Sequence, residues 1–150
     1  MSEPQARQRF ATTTGIGWDS TFEVVGYRNT HAGFTGDGEY AIILSAPSVT
    51  ISRILASPPP FGETWRNGPV DVEIGYHCSF IYAESPVAFG IGTDHPEYSG
   101  GSDEVLAILS SKEARWCAKQ RGPDSMPWHN GDLLIIEPST NRVWLSAWDF

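Results

Sequence analysis

Residues 132 to 148 constrain the fold more than any other stretch. "DLLII" and "RVWLSAW" are two apolar runs joined by "EPSTN". Pro138 suits the first central position of a type I turn, and Asn141 accepts the left-handed conformation that ends such a loop. Counting the second run by twos places Trp144 and Trp148 on one side, with Val143, Leu145 and Ala147 on the other. A strand apolar on both sides is either central and covered on both faces, or it presents aromatics to a partner.

Further strand signals surround this hairpin. "TFEVVGY" (21–27) and "EYAIIL" (39–44) are β-rich runs separated by "RNTHAGFTGDG", a long glycine-bearing loop. From Val70 to Tyr82 every even position is apolar, which predicts a strand across 70–82. Helices are fewer. "PSVTISRILAS" (47–57) has Ser48 as its N-cap and Ile51, Ile54 and Leu55 on one face. "SDEVLAILSS" (102–111) opens with a serine and two acids that complement the helix dipole. "SSKEARWCAKQRG" (110–122) carries a Ser110–Glu113 capping box and ends at Gly122-Pro123, which predicts a third helix. The segment 57–69, with Phe61 and Trp65, reads as a loop packed on the body rather than a hinge.

These elements predict an α+β fold: a mainly antiparallel sheet of five or six strands with two or three helices packed on one face. The 150 residues are one domain's worth and bury about two-thirds of the unfolded surface. The expected division is a flexible N-terminal arm over 1–17 and a single α+β domain over 18–150. The first fifteen residues hold two arginines and no apolar core of a secretory signal, so the expected compartment is the cytoplasm. No apolar run approaches the ~20 residues that span a bilayer, so no membrane partner is expected.

The adjacent His77 and Cys78 invite a thiolate–imidazole reading. In a strand over 70–82, Cys78 shares the apolar face with Tyr76 and Phe80, and His77 falls on the polar face with Asp71 and Glu73. The two side chains are then separated by the sheet, and a thiol in an apolar row is an inert small hydrophobe.

Charge narrows the function. The net charge of −8 argues against nucleic acid, whose binding rests on lysine and arginine. Between Asn67 and Ser111 there is no lysine or arginine, while Asp71, Glu73, Glu84, Asp94, Glu97, Asp103 and Glu104 all fall there. Lys112, Arg115, Lys119 and Arg121 follow at once. Such an asymmetry either neutralises itself within the fold or is read by a partner.

Three other histidines sit in predicted loops near aspartates: His31 with Asp37, His95 with Asp94, and His129 with Asp132. Converging at one end of the sheet, they would suit a metal-assisted hydrolase, although no pair has a recognised ligand spacing. "GFTGDGEY" lacks the ending of a phosphate loop and opens a strand rather than a helix. Tyr27-Arg28-Asn29-Thr30 resembles the first-strand Tyr-[His/Arg]-Gly-Thr segment of ADP-ribosyltransferases over four residues. Asn29 stands in place of the glycine, and neither a Ser-Thr-Ser nor a Glu-x-Glu segment follows, so no role beyond Arg28 is carried over. Of six tryptophans, Trp65 and Trp128 lie in loops and are candidate exposed anchors, as aromatic residues are in interfaces and sugar sites.

The leading expectation is a protein-binding inhibitor or immunity-type module that neutralises a cationic partner, for example a bacterial toxin. Its surface would comprise Asp71, Glu73, His77, Asp94, Glu97, Asp103, Glu104, Trp65 and Trp128, with no cofactor. The alternatives are the hydrolase using His31, His95, His129, Asp94 and Asp132, and a small-ligand or carbohydrate binder built on Trp65 and Trp128.

Overall fold

A computed structural model describes residues 1–29, 38–71, 73–74 and 107–149. Within it β1 (Glu23–Asn29), β2 (Gly38–Ser45), β3 (Arg66–Asn67), β4 (Arg115–Gln120), β5 (Gly131–Glu137) and β6 (Arg142–Asp149) form one sheet in the order β1-β2-β6-β5-β4-β3. Every neighbouring pair is antiparallel, and with its helices the chain is an α+β fold. Among the described residues no helix is long and apolar enough to cross a membrane.

The C-terminal hairpin forms as its sequence predicts. Asn141 sits at φ 56°, and β6 lies between β5 and β2, so the strand apolar on both sides is central. On one face Ile42, Leu44, Leu134, Ile136, Val143 and Leu145 meet the helices α1 (Glu3–Thr14) and α2 (Ser48–Ala56). On the other, Trp116, Trp144 and Trp148 pack with Ile43, Leu133 and Ile135, beneath Val70, Ile74 and Ile108. All three of these tryptophans are buried. Gly131 makes room for one of them, because a Cβ there would lie 2.6 Å from Trp148 Cζ2.

Four local expectations need correction. Residues 3–14 are no arm: they form α1, which buries Ala6, Phe10 and Thr14 at helical spacing. Phe10 meets Trp18 and Phe22 edge-on at 6.4 and 5.8 Å, which ties the helix to the segment that leads into β1. Gly15 ends the helix at φ 69°, with its N–H donating to Ala11 O. Second, α2 has Pro47 rather than Ser48 as its N-cap; the Ser48 hydroxyl instead donates to Asn141 Oδ1 at 3.3 Å.

Third, the predicted helix over 110–122 is the strand β4. Trp116 and Cys117 are both buried, one in each core layer, which neighbouring residues achieve in a strand covered on both faces. The backbone pairs with β5 along its whole length, and that nonlocal pairing overrides the local capping signal. Ser110 closes a helical stretch at 107–110 instead of opening one.

Fourth, Glu73 and Ile74 are helical, with Ile74 N–H donating to Asp71 O at 3.1 Å, where a strand over 70–82 is predicted. Val70 and Ile74 are both buried, and their spacing of four serves a helical turn as well as a strand. The rest of that predicted strand, including His77 and Cys78, lies outside the described residues.

Candidate functional site

The sheet order decides which predicted site residues meet. Gln120 pairs with Gly131 and Gly131 with Trp148, so the ends of β4, β5 and β6 come together. Arg121 follows β4 directly and binds across all three strand ends. Its Nε donates to Asp132 Oδ1 at 3.0 Å and its Nη1 to Asp149 Oδ1 at 2.7 Å. Its Nη2 donates to the carbonyls of Trp148 at 3.0 Å and Gly131 at 3.3 Å. A guanidinium presents its donors in a fixed planar fork, and here each of its nitrogens is engaged.

Asp132 is therefore a structural anchor. Burial pushes its carboxyl above the usual carboxylate range, opposed by Arg121 beside it. Tyr40 lies on the same face of the sheet. Its hydroxyl is 2.6 Å from Thr13 Oγ1, Arg9 stacks on its ring, and burial raises its pKa. His129 is half-buried in the turn before β5, its N–H donating to Met126 O. Among the described residues no three His, Cys, Asp or Glu side chains gather as metal ligands. His31, His95 and Asp94 lie outside the described residues, as do His77, Glu97, Asp103 and Glu104.

The predicted binding surface is partly in view. Asp71 and Glu73 are exposed, and Asp71 is paired with Arg66 at 2.8 Å. Trp65 is half-buried, with its Nε1 donating to Ser57 O at 2.9 Å, so the 57–69 loop packs on the body. Trp128, also half-buried, adopts φ 60°, a strained conformation for a bulky residue. Its carbonyl accepts from Trp148 Nε1 at 2.9 Å, which holds it against the tryptophan face. Trp128 and Glu63 line one hollow of about 240 Å³ beside Arg66, whose guanidinium stacks on Trp116 at 4.2 Å. The other predicted tryptophan, Trp65, is not part of that hollow's lining.

Two further clefts were not foreseen. One of about 380 Å³ lies between the C-terminal ends of α1 and α2, walled by Ile16, Phe22, Ile54, Pro58 and Pro60. The other, of about 270 Å³, lies beside the β5–β6 turn and is lined by Glu137, Ser139, Thr140 and Arg142 with Ala107, Ile108 and Ser111. Cys117 is buried, and burial pushes its thiol up to about 12, so it is an inert packing residue rather than a nucleophile.

No protein-family model matches this chain, and neither a curated protein nor a solved structure matches it.

Proposed function

We propose that this chain is a protein-binding module, an inhibitor or immunity-type protein that neutralises a cationic partner such as a toxin through an acidic, tryptophan-bearing surface. The observation that carries the reading is the net charge of −8, in which 18 acidic residues outnumber 10 lysines and arginines. Arg7, Arg53, Arg66 and Arg121 are each committed to a carboxylate within the chain. Glu23, Glu63, Glu73, Glu113 and Asp124 are exposed, and among the described residues their carboxylates have no partner. Arg115 turns from this surface to the backbone carbonyls of Glu113 and Ala114. An uncompensated field of one sign attracts a partner of the other, speeds encounter and suppresses wrong partners. Glu63 beside Trp128 in one hollow supplies the accompanying aromatic contact.

The test is association with candidate basic proteins, a toxin encoded beside this chain first if there is one, followed by stopped-flow at low and physiological salt. Joint reversal of Glu63, Glu73, Asp94, Glu97 and Asp103 to lysine should slow association at least about tenfold, most strongly at low ionic strength. An association rate indifferent both to these reversals and to salt would remove the electrostatic reading. Failure to form any complex would remove the inhibitor reading itself.

A further inference from the structure

We propose that the cleft beside the β5–β6 turn binds a primary ammonium or guanidinium group, with Glu137 as its anchor. Glu137 ends β5 and is only 3% exposed, yet one of its carboxylate oxygens has a full complement of donors and the other has none. Oε1 accepts from the Ser139 N–H at 3.1 Å and from the Ser139 hydroxyl. Oε2 is closed to solvent and accepts nothing among the described residues. A buried carboxylate oxygen without a donor destabilises the fold, and buried polar groups in native proteins nearly always find a partner.

The surroundings say what kind of donor fits. Glu137 lines the cleft, and so do Ser139, Thr140 and Ser111, whose hydroxyls provide further acceptors. Ile108 and Ala107 supply apolar wall for a short alkyl stem. A group carrying several N–H donors on such a stem satisfies Oε2 and the hydroxyl oxygens together, as a point charge alone does not. The terminal torsion of a glutamate is soft, so a small turn of the carboxylate brings Oε2 toward an entering donor at little cost. Arg142 stands opposite Glu137 in register and also lines the cleft, but it makes no hydrogen bond to Oε2. The volume of about 270 Å³ suits a small amine or a single basic side chain.

This site is separate from the acidic surface and does not depend on the chain being an inhibitor. The test is thermal denaturation of the full chain at constant ionic strength with n-butylammonium, Nα-acetyl-lysine amide, or tetramethylammonium, which lacks N–H donors. A saturable rise in Tm with n-butylammonium and none with tetramethylammonium is expected. Glu137→Gln should weaken the n-butylammonium affinity at least tenfold. Ala107→Phe, which fills the cleft from its exposed edge, should do the same and serves if the first variant does not fold. Response to the free amine alone assigns a small-molecule ligand, and response to the lysine amide as well assigns a basic side chain of another protein. Equal shifts with tetramethylammonium, no shift with either amine, or an undiminished response in the folded variants would overturn the proposal.

Discussion

β5 carries a buried carboxylate at each end, and the two are managed in opposite ways. Asp132, on the face covered by α1 and α2, meets Arg121, which also holds Asp149 and two carbonyls. Glu137, on the other face and at the other end, satisfies one oxygen from its own turn and leaves the second without a donor. Both side chains are withdrawn from water, so both incur desolvation. At the first end that cost is offset inside the chain, with the three strand ends held together as a result. At the second it is left standing in the wall of a cleft. A group that completes its own hydrogen bonds is architecture, whereas one that leaves a bond unmade is where a ligand can add stability.

Breaking the completed end should have the largest effect. Arg121→Met removes the only cation paired to Asp132 among the described residues and leaves a buried carboxylate uncompensated. Loss of a buried pair's partner costs about 3–5 kcal/mol. With the Arg121 side chain 32% exposed, about 3 kcal/mol is expected in urea unfolding. Gly131→Ala attacks the same end through packing, since its Cβ would stand 2.6 Å from Trp148 Cζ2. Overpacking of that kind costs about 1–3 kcal/mol, read as a fall in urea midpoint with an unchanged slope.

At the other end the sign reverses. In the ligand-free protein Glu137→Gln removes a buried charge and offers an N–H₂ donor at an oxygen that had no partner. It should leave stability unchanged or raise it by about 1 kcal/mol. A loss as large as that of Arg121→Met would mean the two ends are alike, and the comparison would fail.

How far the sequence reveals these ends follows from the range of the forces involved. The hairpin from Gly131 to Asp149 is legible because Pro138 and Asn141 dictate its turn locally and the apolar runs show both faces. β4 is not, since Ser110, Glu113 and Gly122 are local helix signals and the β5 pairing that defeats them is remote. Val70 and Ile74 fit either period, and only the turn at Asp71 decides between them. α1 is hidden because its buried face is little more than Ala6 and Phe10, whose aromatic partners Trp18 and Phe22 lie beyond the helix. The pairing of Arg121 with Asp132 follows only once β4 is known to be a strand. Glu137 did leave a trace: in a count by twos it continues the row of Leu133 and Ile135, an acid at an inward position.

The smallest effect, and the one that separates the two kinds of carboxylate by pH, concerns Asp19. It accepts from the Thr21 hydroxyl and N–H at 2.7 and 2.8 Å and pairs with Arg53, and the Thr21 bonds lead in holding its carboxyl at about 2. The folded value lies below the unfolded one, so its contribution is present above pH ~4 and lost as pH falls through about 2. Asp132 is shifted the other way, so its contribution is present below the ordinary carboxylate value and lost as pH rises through its raised one. Stability curves of Asp19→Asn and wild type should therefore converge toward pH 2 and separate on the neutral side. Asp132→Asn should differ from wild type least at its acid end too, but for another reason: there Asp132 is already neutral and Asn mimics it. Above that, the variant also lacks the anion that faces Arg121. If the Asp19→Asn difference stayed constant from pH 5 to pH 2, the Thr21 and Arg53 contacts would not be acting on the charged form of Asp19.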